Sequence, residues 1–185
     1  YDANKKTIES IDYRERAPQN ATEKMFLNKE GDVIKGLSLN SYLASGVPGT
    51  VKGMFKAHNL FGSIPIENLI DPAIKIAKDG FTLSNFQATN FNKYKKKFLN
   101  GSDSESIFIK EGGFKEGDIF IQADLAKSLE LIQSRGEKVF YEGKLADKII
   151  EDFAQNGGLI SSEDLLNYKV YLKDPISVSY THLRA

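Results

Sequence analysis

The chain has 185 residues, 41% of them hydrophobic and 11% aromatic, a globular composition with enough length to bury a core as one domain or as part of a larger one. Its 25 Lys and Arg balance 25 Asp and Glu, which argues against nucleic acid as a partner. With no cysteine and only two histidines, His58 and His182, the chain excludes disulfides, thiol catalysis, Cys-based metal sites, a His-based triad and an H-E-x-x-H zinc site.

In chain order, the opening YDANKKTIESIDYRE predicts a β-hairpin. Asp2 to Lys5 supply turn chemistry, and Thr7, Ile8, Ile11 and Tyr13 are β-formers, so Arg14 falls at a strand end. ATEKMFL is a short helical candidate, followed by a loop around Gly31 and Gly36. The segment SGVPGTVKGMFKAHNLFG predicts a helix with Pro48 at its first position, Val51, Phe55 and His58 on one face, and Gly62 as its stop. A second helix covers IPIENLIDPAIKIAKDGF, with Leu69, Ala73, Ile76 and Ala77 as its apolar side. Asp71-Pro72 is its expected kink or break, and Gly80 its end.

Farther along, Ser84 with Gln87 three residues on forms a capping-box pattern ahead of a helix that carries the basic run Lys93 to Lys97. A short strand is expected at SIFIK. Two amphipathic helices follow: one has Leu125, Leu129 and Ile132 on a face, and the other has Leu145, Ile149 and Phe153 and is closed by Gly157 and Gly158. Ser161 with Asp164 marks another helix start, and Val170 to Ser179 alternates as a strand. No run of about 18 apolar residues occurs, so no membrane-spanning helix is read.

The chemistry-bearing candidates are few. Arg14 is the first: a planar guanidinium matches a carboxylate bidentately as lysine cannot, while the competing reading is a surface pair with Glu15. The lysine run reads as a solvated helix face rather than a phosphate or membrane patch, and His58 as a packed, hydrogen-bonded histidine. GVPGT and EGGFKEG fit neither phosphate-binding nor dinucleotide-binding glycine patterns. No metal or cofactor is expected.

Several segments, in order, resemble the γ-glutamyltranspeptidase (glutathione hydrolase) family. IDYRERAP is similar to its D-F-R-E-x-A-P signature, and YLASGVPGTVKGM to its A-x-G-V-P-G-T-V-x-G segment. LIDPAIKIAKDGF, GDIFIQADLAKSLELI, FYEGKLADKIIEDF and NGGLISSEDLLNYKV have counterparts there too. The resemblance runs from Tyr1 to about Ile176. It implies an α+β chain, part of an N-terminal nucleophile hydrolase αββα sandwich, contributing mostly its helical portion with a β-hairpin at the start and a strand at the end.

It also implies a γ-glutamyltransferase or glutathione hydrolase. In this family a precursor cleaves itself, and the new N-terminal threonine of the small subunit attacks the γ-glutamyl carbonyl with its own amine as base. That threonine would lie outside the present residues, so this chain carries no catalytic residue. The site residue carried over is Arg14, as the holder of the substrate's α-carboxylate; Tyr13 stands where phenylalanine is usual, and Arg16 is expected in solvent or a surface pair. The implied partners are glutathione or related γ-glutamyl compounds and the small subunit of the same precursor, in the periplasm or secreted. A related acylase, a poly-γ-glutamate capsule transpeptidase and a non-catalytic helical binding module are the alternatives.

The opening at Tyr1, with neither methionine nor leader, suggests an internal piece of the large subunit, with residues 1–177 as partial domain. Residues 178–185, VSYTHLRA, depart from the family pattern and read as a translated sequencing adapter.

Overall fold

The computed structural model describes residues 1–101 and 106–176. Among these residues the architecture is α+β. Its elements are β1 (Ser10–Asp12), α1 (Leu37–Asn40), α2 (Thr50–Phe61), α3 (Ile66–Asp79), β2 (Phe81–Thr82), α4 (Asn85–Gly101), β3 (Ile119–Phe120), α5 (Ala123–Arg135), α6 (Lys138–Tyr141), α7 (Lys144–Gln155), α8 (Ser162–Leu166) and β4 (Tyr171–Lys173).

The strands form two antiparallel pairs. In the first, Ser10 lies opposite Lys173, Ile11 opposite Leu172 and Asp12 opposite Tyr171, so the two ends of the described chain are joined. The opening hairpin shrinks to a turn closed by one bridge between Asp2 and Thr7, and the strand that follows it takes the distant β4 as its partner. Asp2 accounts for the turn: its carboxylate accepts the N–H groups of Asn4 and Lys5, a side-chain substitute for strand pairing. In the second pair Phe81 faces Phe120.

Two buried clusters make the core. Val47, Tyr141, Ala146, Ile160, Leu165 and Tyr168 form one, with Ile149 and Phe153 of α7 packed on it. Ile132, Val139 and Leu145 form the other, and Val51 of α2 touches both. The expected apolar face of α7 is therefore the one used. Its neighbour α8 begins with the expected cap: Ser161 Oγ accepts from the Asp164 N–H while Asp164 accepts from the Ser161 N–H. Ser84 and Gln87 make the same reciprocal pair at the start of α4.

Four local expectations are corrected by tertiary contacts. Residues 21–27 form turns instead of a helix, with the Met25 N–H bonded to the Thr22 carbonyl and Leu27 bridged to Val33; so short a segment cannot nucleate a helix without a packed face. Pro48 stands before α2, whose first residue is Thr50, because Val47 is held extended against Arg16. Helix α3 runs unbroken through Pro72 and turns Ile70, Ile74 and Ala77 inward toward α5, leaving Leu69 and Ile76 about half exposed. That helix carries two apolar stripes, and α5 selects one; Gln133 of α5 fixes the docking by donating to the Glu67 carbonyl and Asp71. On α5 itself Ala126 and Ile132 are buried whereas Leu125 is exposed.

SIFIK, residues 106–110, forms a turn closed by the Ile109 N–H on the Ser106 carbonyl, and the strand of this region is Ile119–Phe120. Phe108 goes instead into an aromatic cluster. Phe91 of α4 lies 5.6, 5.3 and 5.1 Å from Phe108, Phe114 and Phe120. Of the strand expected over Val170 to Ser179, the described residues form Tyr171–Lys173 and leave it by residues 174–176; residues 177–179 and the proposed tail 178–185 lie outside the described residues.

Candidate functional site

Arg14 lies two residues past β1, on a strap that crosses the start of α2. Both of its peptide groups are anchored. Its N–H donates to Asp12 Oδ1 at 3.1 Å, and its carbonyl accepts from Tyr168 Oη at 2.8 Å across 154 residues of sequence. Asp12 is in turn paired with Lys173 on β4. The Lys173 ammonium, followed by the Arg14 N–H, holds the Asp12 carboxyl below its usual range. The strap then closes on Val47 through two hydrogen bonds, Val47 N–H to the Arg16 carbonyl at 2.7 Å and Arg16 N–H to the Val47 carbonyl at 3.3 Å.

The glycines of SGVPGTVKG make room for this strap. A Cβ on Gly49 would stand 1.9 Å from Tyr168 Oη and 2.2 Å from the Tyr13 carbonyl oxygen, and one on Gly53 would stand 2.3 Å from the Tyr13 ring. Glycine inside a helix costs roughly 1 kcal/mol against alanine, and at Gly53 that cost is offset by seating Tyr13 directly on the helix backbone. The two segments singled out in the sequence thus meet face to face.

Beneath them Tyr168 and Tyr141 stack with ring centroids 5.9 Å apart and planes 17° from parallel. Tyr141 Oη donates to the Pro48 carbonyl at 2.9 Å and accepts from the Lys52 N–H at 3.2 Å. Lys52 Nζ donates to the Tyr168 carbonyl at 3.0 Å and sits over the Tyr141 ring. Burial pushes the Tyr141 hydroxyl up to about 12 and the Tyr168 hydroxyl upward as well, so both are protonated donors at neutral pH.

Against this fixed backbone the Arg14 side chain stands in the open. It is 84% exposed, and its Nη2 donates to Glu15 Oε1 at 3.0 Å. An exposed pair of this kind contributes about 0–1 kcal/mol. The surface reading of Arg14 and its placement at a cleft therefore hold together: Ile11 to Glu15 and Gly46, Pro48, Gly49 and Thr50 line a cleft of about 580 Å³. Arg16 is exposed, as expected, and its guanidinium lies 4.7 Å over the Tyr171 ring on the surface of β4. His58 is half-buried with Nε2 2.7 Å from the Ile64 carbonyl, and Lys93 to Lys97 are exposed along α4.

Among the described residues no group of three or more His, Asp or Glu side chains is disposed to hold a metal, and no helix is long and apolar enough to cross a membrane. Tyr168, Tyr141 and Lys52 were not singled out from sequence. The available signal was the Gly49, Gly53 spacing of i and i+4, which places two small residues on one helix face and calls for a bulky neighbour there.

The family model for gamma-glutamyltranspeptidase matches residues 1–184. The chain belongs to the gamma-glutamyltranspeptidase family. It is 44% identical over 173 residues to a glutathione hydrolase proenzyme of Escherichia coli (strain K12), covering 92% of this chain and 30% of that relative. A second glutathione hydrolase proenzyme, from Bacillus subtilis (strain 168), is 38% identical over 182 residues, again with about 30% of its length spanned (31%). The chain thus spans about 30% of the length of the curated gamma-glutamyltranspeptidase relatives it matches.

In three dimensions it resembles the gamma-glutamyltranspeptidase of Helicobacter pylori, with a TM-score of 0.89 and 44% identity over 94% of this chain and 50% of that one. It also resembles the Bacillus anthracis transpeptidase CapD, at 33% identity and a TM-score of 0.70, covering 94% of this chain and 51% of that one. The architecture is accordingly part of the N-terminal nucleophile hydrolase αββα sandwich, of which this gamma-glutamyltranspeptidase chain supplies mainly helices.

Proposed function

We propose that this chain is the donor-capturing part of a γ-glutamyltransferase or glutathione hydrolase, with Arg14 binding the α-carboxylate of the γ-glutamyl group. The supporting observation is the contrast at Arg14 itself: a backbone clamped at both peptide groups and a guanidinium free to face the cleft. Among the described residues Nη2 alone is engaged, by Glu15, which leaves the other N–H groups for a second carboxylate. A clamped backbone fixes where the guanidinium points, and a bidentate pair would then fix the distance of the donor's carbonyl from an attacking group.

In this reading the nucleophile is the N-terminal threonine of a small subunit released by self-cleavage of the precursor, a processing that the proenzyme names of its relatives support. That subunit is the partner that closes the cleft, and desolvation by it turns the weak exposed charge of Arg14 into a strong anchor. The acceptor is water, an amino acid or a peptide. The enzyme works in the periplasm or outside the cell.

The test is the full-length protein assayed for release of the amine from a γ-glutamyl anilide, with Arg14→Ala alongside. Loss of a desolvated charge pair costs about 2–5 kcal/mol, so kcat/KM should fall roughly thirtyfold to several thousandfold, led by a rise in KM. Unchanged KM in the variant would remove Arg14 from substrate binding.

A further inference from the structure

Resting on the reading of Arg14 as carboxylate anchor, we infer that Tyr168 is a positioning residue for that anchor, acting on donor affinity through the Arg14 carbonyl. The hydroxyl of Tyr168, three residues before β4, reaches the strap at the Arg14 carbonyl, 2.8 Å away. Tyr168 is itself held at three places: its carbonyl by Lys52 Nζ, its ring by the stack on Tyr141, and its N–H by the Leu165 carbonyl. With the residue 4% exposed, its hydroxyl has little room to turn elsewhere.

The opposite side of the contact is equally confined. Gly49 lies against Tyr168 Oη and the Tyr13 carbonyl so closely that even one methyl group there would displace them. The direction of the Arg14 side chain is set by the peptide planes on either side of its Cα. Asp12 fixes the first plane and Tyr168 the second. Removing the Tyr168 hydroxyl leaves the second plane free to rotate, together with a carbonyl that has lost its donor. The guanidinium keeps its charge but loses its preset aim, and the binding of a carboxylate then has to order it.

The experiment uses the full-length processed protein and two donors: a γ-glutamyl anilide, and the 4-aminobutanoyl anilide that lacks only the α-carboxylate, the latter measured as a slow substrate or as a competitive inhibitor. Tyr168→Phe, which keeps the ring, should raise KM for the γ-glutamyl donor roughly five- to thirtyfold and leave kcat within about twofold. Its affinity for the carboxylate-free donor should not change, and in an Arg14→Ala background it should add nothing.

Because the readout is a ratio of affinities on one preparation, a lower yield of folded protein does not affect it. Gly49→Ala, which presses on the same contact from the other side, should shift the ratio in the same direction and serves if Tyr168→Phe does not fold. An unchanged ratio in either folded variant, with Arg14→Ala still defective, overturns the role of Tyr168 alone. Equal weakening with both donors does so too, since it marks a merely structural residue. If Arg14→Ala itself retains the parental KM, it is the underlying reading of Arg14 that fails.

Discussion

The strap around Arg14 and the phenylalanine cluster around α4 are built on opposite plans. In the cluster, residues from Phe81 to Phe120 meet one another within a stretch of about forty positions, and Asn92 closes it by bonding both the N–H and the carbonyl of Phe114. The strap instead joins residues 12–16 to residues 168–173, and its hydrogen bonds bring together the two ends of the described chain. A local cluster holds itself by burial. A long-range strap holds one direction in space, and it does so with backbone carbonyls and hydroxyls because these are directional where apolar contact is not.

That contrast predicts separable effects in the full-length protein. Phe120→Ala removes the ring common to several of the aromatic contacts and should destabilise by about 3–5 kcal/mol, seen as a lower melting temperature, with donor KM unchanged. A change in KM of the size expected for Tyr168→Phe would show that the two regions are not independent. Conversely, variants of the strap should move affinity more than melting temperature.

Asp164 gives an intermediate effect, because it caps α8 and also accepts the N–H of Gln19, just past the strap, at 2.8 Å. Burial pushes its carboxyl up, but the N–H groups of Gln19 and Ser161 together with the Ser161 hydroxyl outweigh burial and hold it below the usual carboxylate range. A depressed folded pKa means that the stabilisation is present above the unfolded value and is lost as the pH falls through the folded one. Asp164→Asn should therefore cost about 1–2 kcal/mol at neutral pH and shrink the difference from the parent below about pH 4 in acid-melting curves. A difference that stayed constant across the acid range would dissociate the capping effect from its charge.

The smallest effect is expected at Lys95 and Lys96, whose side chains are exposed on α4. Lys95→Glu with Lys96→Glu should change melting temperature by an amount equivalent to within about 0.5 kcal/mol and leave the γ-glutamyl anilide kinetics unaltered. A marked loss of activity would assign this helix face a role that a solvated surface does not have.

Sequence alone determined what depends on near neighbours. The caps at Ser84 and Ser161, the stop at Gly62 and the buried face of α7 follow from spacing, since a cap or a helical stripe needs only residues three or four positions apart. Arg14 was legible as a carboxylate-matching side chain, and the ordered family segments favoured that role over the surface pair. Tertiary structure decided the rest. Which of two apolar stripes α3 buries depended on α5, and the partner of β1 depended on a strand about 160 residues away. The reason for Gly49 and Gly53 is a pair of tyrosine-bearing surfaces that no local pattern brings near them. Direction was also beyond the sequence: the guanidinium of Arg14 is a property of one residue, but its aim is fixed by Asp12 and Tyr168, and only folding brings those two to the same peptide.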